Sequence, residues 1–238
     1  MTEMSLRRTP DAARPADTLT MTLFHAALRR DLERARYLLE HPHWLSSRRA
    51  QRLGRLLLWD MAELRRHHEG EDHYLWPLLL SRAPETREIL DAMEQEHDAI
   101  DEPLLQLEAS ARALVAGRAG PHDVLEALNE LEGPLLEHLT HEETEGMDIV
   151  TKTLSHQEWK DFETRAWAAG YTAREAIRFA AWMCDGVDWD QSVLRRARLP
   201  VPLWRMLAKP LSSIAAVPTA SVWARTPAAR IRSRLGTA

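Results

Sequence analysis

Four long segments of this chain place apolar residues at the spacing of an amphipathic helix, and short joints containing proline separate them. Pro42 ends the first segment, while Pro84 and Pro121 open the third and the fourth, because proline is tolerated in the first turn of a helix. Either Ser46 or Ser47 can cap the second segment. The predicted helices cover about residues 18–40, 46–82, 84–116 and 121–154. Four such helices with short connections predict an all-α fold, an antiparallel up-down four-helix bundle.

The two ends of the chain follow a different pattern. Residues 1–17 are polar and aperiodic, which predicts a flexible N-terminal tail. Residues 155–238 begin with two short helices, whose capping boxes start at Ser155 and Thr172, and continue into a stretch rich in Pro and Arg. The chain is therefore predicted to contain a tail, a bundle over residues 18–154 and a helical, Pro-rich C-terminal extension.

Ionisable side chains interrupt the apolar face of the second helix. At 100° per residue, Glu71 lies about 20° from the centre of this face, and His67 and His68 flank it at about 60° and 40°. Periodicity alone does not choose between the two histidines. Three neighbours are predicted to lie on the solvated side: Glu69, Asp72 and His73.

The other three helices also direct ionisable residues toward the core. His25 shares the apolar stripe of the first helix, and His97 shares that of the third, where Asp101 follows one turn later. In the fourth helix, His138 precedes the stripe residue Glu142 by one turn. Residues four apart lie one above the other on a helix, so an H-x-x-x-E pair directs an imidazole and a carboxylate to the same point.

The two halves of the predicted bundle repeat one arrangement. His25 lies 42 residues before His67, and His97 lies 41 residues before His138. Each helical hairpin thus supplies one single histidine and one H-x-x-x-E pair. A carboxylate on an apolar stripe is costly unless it is paired or bound to metal. Four histidines and two glutamates at the bundle centre therefore predict a dinuclear metal site.

This arrangement resembles the hemerythrin-like HHE cation-binding domain over about residues 18–154. The matching elements are His25, His67-x-x-x-Glu71, His97 and His138-x-x-x-Glu142, with HHEGED before LWP and EHDAI in the third helix. The resemblance implies a centre of two iron ions. It assigns His25 and His67 to one iron, His97 and His138 to the other, and Glu71 and Glu142 to the bridge between them. The same donor set also accepts manganese.

The chain departs from the oxygen-carrying hemerythrins at one position. Those proteins have five histidine ligands, two of them from an H-x-x-x-H pair on the third helix, and here the second position of that pair is Asp101. Asp101 is therefore a less certain ligand, with a supporting or solvated role as the alternative, and His68 is the alternative to His67. A carboxylate in place of an imidazole stabilises Fe(III) over Fe(II), which counts against reversible oxygen carriage.

Two functions fit these observations. The first is a non-haem diiron protein that binds or reacts with O₂, NO or peroxide. Whether it turns over as an enzyme is left open, because no tyrosine or acid identifies an oxygenase. The alternative is an iron- or redox-responsive interaction protein, in which metal binding orders the bundle and the basic C-terminal extension contacts a protein partner.

Composition further narrows the kinds of site, the compartment and the partners to be expected. Cys184 is the single cysteine, which excludes an internal disulfide and a Cys-based metal site and suits the cytoplasm. No apolar signal region and no apolar run of membrane-spanning length occur. After Asp190 the chain has nine Lys and Arg and no acid. These basic residues are dispersed among apolar ones, which argues against nucleic acid as a partner.

Overall fold

Helical runs occupy all four of the amphipathic segments. The structure is a computed structural model of the chain, and it describes residues 14–189 and 220–235. The bundle consists of α1 (Leu19–Glu40), α2 (Ser47–Gly70), α3 (Trp76–Arg82), α4 (Arg87–Val115), α5 (Pro121–His141) and α6 (Met147–Thr153). Two π-helical segments, Glu71–Leu75 and Glu142–Gly146, join α2 to α3 and α5 to α6. The predicted all-α four-helix bundle is thereby confirmed.

Local signals explain where these helices begin. The Ser46 hydroxyl accepts a hydrogen bond from the Arg49 backbone amide and caps α2. A 3₁₀ turn over Pro84–Thr86 precedes α4, and Pro121 is the first residue of α5. The described helices contain no segment long and apolar enough to cross a membrane.

The bundle core is built from leucines on the predicted apolar stripes. α4 packs between α2 and α5, and α1 packs against α5. Leu28, Leu57, Leu107 and Leu131 are fully buried in one continuous cluster contributed by these four helices. Burying leucine side chains in this way is the dominant stabilising term of such a bundle.

The C-terminal extension packs against the bundle in both of its described parts. It contains α7 (His156–Glu163), a π-helical segment Thr164–Ala168, α8 (Ala173–Cys184), α9 (Ala220–Trp223) and a 3₁₀ turn Pro227–Arg230. The capping boxes predicted at Ser155 and Thr172 are both formed. Trp182 and Trp223 are buried in the same cluster as the bundle leucines.

Three charged residues of α1 hold the extension in place. Arg30 is buried and donates to the backbone carbonyl of Trp182 at 3.0 Å and to the Ser233 hydroxyl at 3.1 Å. Arg34 donates to the Ile231 carbonyl at 2.8 Å, and Asp31 accepts a hydrogen bond from the Trp182 indole at 3.1 Å. Because buried charges are tolerated only when paired, these contacts fix both described parts of the extension on α1.

The last residues of the predicted N-terminal tail, 14–17, contact the folded part of the chain. The Ala16 amide donates to the Leu154 carbonyl at 3.0 Å, and the His156 amide donates to the Arg14 carbonyl at 2.7 Å. Ala16 is also buried. Backbone groups of this short segment thus have partners at the junction of the bundle and the extension. Residues 1–13 lie outside the described residues.

Candidate metal centre

Two groups of ligand atoms lie in the core of the bundle. The first contains His25, His67 and Glu142, and the second contains His68, His97 and His138; within each group the atoms lie within 4.8 Å of one another. The Nε2 atoms of His25 and His67 are 3.2 Å apart, as are those of His97 and His138. All six side chains are buried. Each group therefore has the size and the donor types of a metal site.

Two glutamates lie between the groups. Glu71 places Oε1 3.1 Å from His67 Nε2 and Oε2 3.7 Å from His97 Nε2. Glu142 places Oε2 3.1 Å from His25 Nε2 and 4.0 Å from His138 Nε2. Each carboxylate thus approaches both groups, which is the placement that a bridging carboxylate requires.

Unsatisfied polar atoms test whether these residues fit a metal. All four carboxylate oxygens of Glu71 and Glu142, and Nε2 of His68, are buried and make no hydrogen bond of acceptable geometry among the described residues, although imidazole nitrogens lie as close as 3.1 Å to the carboxylates. Buried polar atoms are normally paired, and an unpaired carboxylate is especially costly. Cations between the two groups would give these atoms partners, so the donor set fits a pair of metal ions.

The electrostatics of the site also favour cations. Burial lowers the pKa of His67 to about 4 and that of His138 to about 4, so both imidazoles are neutral near pH 7 and keep a lone pair for a metal. Burial and the facing Glu142 carboxylate raise the pKa of Glu71 well above its usual value. Burial alone would also raise the pKa of Glu142, but His25 and His67 lower it well below normal. A cation would relieve the repulsion between the two carboxylates.

Carboxylates outside the centre orient three of the histidines. Nδ1 of His25 lies 3.0 Å from Glu143, Nδ1 of His97 lies 2.8 Å from Asp72, and Nδ1 of His138 lies 3.0 Å from Glu96. A carboxylate at Nδ1 selects the tautomer that carries its proton there, which leaves the Nε2 lone pair directed into the site. Metal-binding histidines are commonly held in this way.

The position of Asp72 corrects one prediction. Asp72 was expected on the solvated side of its helix, whereas it is half-buried and binds His97. The helix changes to π geometry from Glu71 to Leu75, so an extrapolation at 100° per residue fails beyond Glu71. Glu69 and His73 do lie exposed, and Nδ1 of His73 lies 2.8 Å from the Glu69 carbonyl oxygen.

Both bridging candidates occupy the same backbone position. Glu71 and Glu142 are each the first residue of a π-helical segment. Such segments are rare and occur often at functional sites, where the wider turn redirects a side chain. The two halves of the bundle therefore share a local backbone irregularity as well as the H-x-x-x-E spacing.

Aromatic side chains cover His67. Its ring stacks on Phe24 at a centroid distance of 4.2 Å and on Trp167 at 5.1 Å. Trp167 belongs to the extension and packs against Gly70, the last residue of α2. A Cβ at this position would lie 2.8 Å from the Trp167 indole nitrogen, so only glycine leaves room for the indole. The second group is covered differently, since His68 stacks on His97 at 3.9 Å.

The structure brings all six principal candidates together, and it separates the two less certain ones. His68 joins His97 and His138, whereas Asp101 is exposed on α4 and contributes no atom to either group among the described residues. Sequence reasoning missed Glu96, Glu143 and Trp167. Glu96 and Glu143 each adjoin a candidate ligand in the chain, but neighbouring residues on a helix point in different directions, so adjacency does not predict a contact. No local pattern in the sequence indicated Trp167.

The chain belongs to a known family. The Hemerythrin HHE cation binding domain matches residues 18–147, which is more than half of the 238 residues. The comparison with curated proteins gives no match, and neither does the comparison with solved structures. The chain is therefore a hemerythrin-like HHE protein with two buried His-rich groups that are consistent with a dimetal site.

Proposed function

We propose that the chain is a non-haem diiron protein that binds or reacts with O₂, NO or peroxide. The observation that carries the proposal is the pair of buried glutamates, Glu71 and Glu142, whose unpaired oxygens lie between two sets of imidazoles. A diiron pair held there would supply redox equivalents and a coordination position open to a small ligand. Manganese fits the same donor types.

Seven of this chain's residues would hold the two ions. His25 and His67 would bind one, and His97 and His138 would bind the other, with Glu71 and Glu142 shared between them. His68 would complete the second set, because its Nε2 is buried and unpaired and one of its ring nitrogens lies within 4.8 Å of those of His97 and His138.

His68 alters one expectation from the sequence. The fifth imidazole comes from α2 rather than from the position of Asp101 on α4. Since Asp101 is exposed, its carboxylate no longer supports the argument for Fe(III) over Fe(II). Both reversible binding and redox reaction are therefore within the proposal.

A narrow cleft beside His67 suits a small reactant. Glu63, Arg66 and Tyr171 line it together with Phe24 and Trp167. The Tyr171 hydroxyl donates to Glu63, and the Arg66 guanidinium lies 4.5 Å from the centroid of the Tyr171 ring. The aromatic walls exclude bulk water from His67, while the polar groups offer hydrogen bonds to a diatomic molecule or a peroxide.

Optical spectroscopy of the iron-loaded chain tests the proposal. We expect absorption bands of a bridged diiron pair that change when O₂, NO or hydrogen peroxide is added. Glu142→Ala should lack these bands, and the exposed neighbour variant Glu145→Ala should keep them. Bands that respond to none of the three reactants would reject the proposed chemistry.

One observation favours a second candidate function, an iron- or redox-responsive interaction protein. Trp167 connects the extension directly to His67, so a change at the centre reaches the extension. In this case, metal binding would order the bundle and set the position of the extension for a protein partner. Limited proteolysis with and without metal tests it: cleavage within 155–189 should slow on metal loading, and equal rates would reject this function.

A further inference from the structure

A second cleft runs along α1, where α5 and residues 231–235 meet it. Its cavity volume is about 260 Å³, which is just below the usual range for small-molecule pockets and leaves room only for a small ligand. Five arginines line it: Arg29, Arg30, Arg36, Arg232 and Arg234. The acids among its described lining residues are Glu33 and Glu132. Positive charge therefore exceeds negative charge in this cleft, which favours an anionic ligand.

The arginines differ in whether their guanidinium groups already have hydrogen-bond or ion-pair partners. Arg36 donates to Glu132 at 3.1 Å, and Arg30 is buried and donates to carbonyl groups of the extension. Arg234 is 86% exposed at its side chain and approaches Glu33 no closer than 3.9 Å, the limit of an ion pair. Arg232 is likewise exposed. The two arginines contributed by the extension are thus the best placed to take a ligand.

The cleft also has an apolar wall. Leu136 provides it and is one of the few large apolar side chains of the described residues that is exposed, at 38%, whereas the lining residue Leu32 is buried. An inorganic anion would leave this surface in water. A ligand with a charged head and an apolar body would cover it and gain the free energy of apolar burial.

We propose that this cleft binds a small organic phosphate. The phosphate would accept hydrogen bonds from Arg232 and Arg234, because the guanidinium fork matches phosphate oxygens in bidentate geometry. The apolar body would lie against Leu136.

Arg29 connects this cleft to the metal centre. Its guanidinium binds Glu143, and Glu143 lies 3.0 Å from Nδ1 of His25. A phosphate in the cleft competes with Glu143 for Arg29, which alters the group that orients His25. Occupation of the cleft is therefore coupled to the first set of candidate ligands.

Isothermal titration calorimetry of the full chain at constant ionic strength tests the site. The probes are phenyl phosphate, inorganic phosphate and phenol. We expect phenyl phosphate to bind most tightly, because it uses both the arginines and the apolar wall. No heat with phenyl phosphate, or equal affinity for inorganic phosphate, would overturn the organic phosphate assignment.

Variants of the extension localise the binding. The double variant R232A/R234A should weaken phenyl phosphate by about tenfold or more, since it removes two charge-assisted contacts. Arg230→Ala is the matched control, because Arg230 is an exposed arginine of the same segment that does not line the cleft. Equal losses in the two proteins would place the binding elsewhere. In the metal-loaded chain, absorption bands should shift at the same half-saturation, and fixed bands would reject the coupling.

Discussion

The candidate centre has a first half, around His25 and His67, and a second half, around His97 and His138. The two halves contain similar ligands but have different surroundings. Around His25 and His67, the cover is aromatic, and Trp167 of the C-terminal extension supplies part of it. Around His97 and His138, the cover comes from the bundle itself. There His68 stacks on His97. Carboxylates from other segments of the bundle accept hydrogen bonds from the outer nitrogens of His97 and His138, as Glu143 does from His25 in the other half.

This difference distinguishes the surroundings that the family domain supplies from those that the C-terminal extension supplies. The partners of the second half named above, His68, Asp72 and Glu96, lie within the matched residues 18–147, whereas Trp167 lies beyond them. The second half is thus a property of the domain, and the first half depends on a long-range contact. We infer that the extension adjusts access to the first half without being needed for metal binding.

The largest expected effect comes from a residue that both halves share. Glu142→Ala should reduce the metal content from about two ions per chain to near zero, since its carboxylate faces both sets of imidazoles. Metal analysis by mass spectrometry measures this. Glu145→Ala, one turn away and 55% exposed at its side chain, should retain both ions. Retention of both ions in Glu142→Ala would contradict the proposal that Glu142 is shared by the two halves.

A smaller effect is expected where only one half is changed. His68→Ala should lower the metal content by about one ion, because it removes a nitrogen from the second group alone. Asp101→Ala should leave the content unchanged, since Asp101 is exposed. The reverse result, loss in Asp101→Ala and none in His68→Ala, would place the additional ligand at Asp101, where the oxygen carriers have a histidine.

The principal ligand candidates could be identified from the sequence because their signal is local. His138 and Glu142 are four residues apart, and so are His67 and Glu71, and this spacing fixes a common direction on any regular helix. The same regularity placed the helix boundaries to within a few residues, as for α1, predicted over 18–40 and found at Leu19–Glu40. The four-helix bundle followed from the number and length of these segments.

The remaining contacts could not be predicted because they depend on departures from regular structure or on distant packing. Asp72 was misplaced by the π segment that begins at Glu71, which the assumption of 100° per residue does not anticipate. Trp167 reaches His67 only through the folded position of the extension and the space above Gly70. Neither feature has a pattern in the sequence that indicates it.

Loss of the aromatic cover should affect the first half alone. Trp167→Ala should cost about 3 kcal/mol of unfolding free energy, because it leaves a cavity beside His67. One of the two ions should then be released to a chelator several-fold faster. Trp167→Phe keeps a stacking ring and serves as the control. Equal acceleration of both ions in Trp167→Ala would contradict the assignment of this cover to one half.

The smallest effect is expected at the rim of the cleft beside His67. Tyr171→Phe removes the hydrogen bond to Glu63 and should cost about 1 kcal/mol in urea-induced unfolding. Metal content should stay at the level of the unchanged chain, because Tyr171 donates to Glu63 and not to a candidate ligand. A loss of metal in this variant would show that the extension supports the centre more directly than we infer.

The most direct test of a dinuclear centre is metal analysis of the purified full-length chain after loading with iron under reducing conditions. We predict about two iron ions per chain, both lost in Glu142→Ala and both kept in Glu145→Ala. A content of zero, or a single zinc ion per chain, would contradict the account.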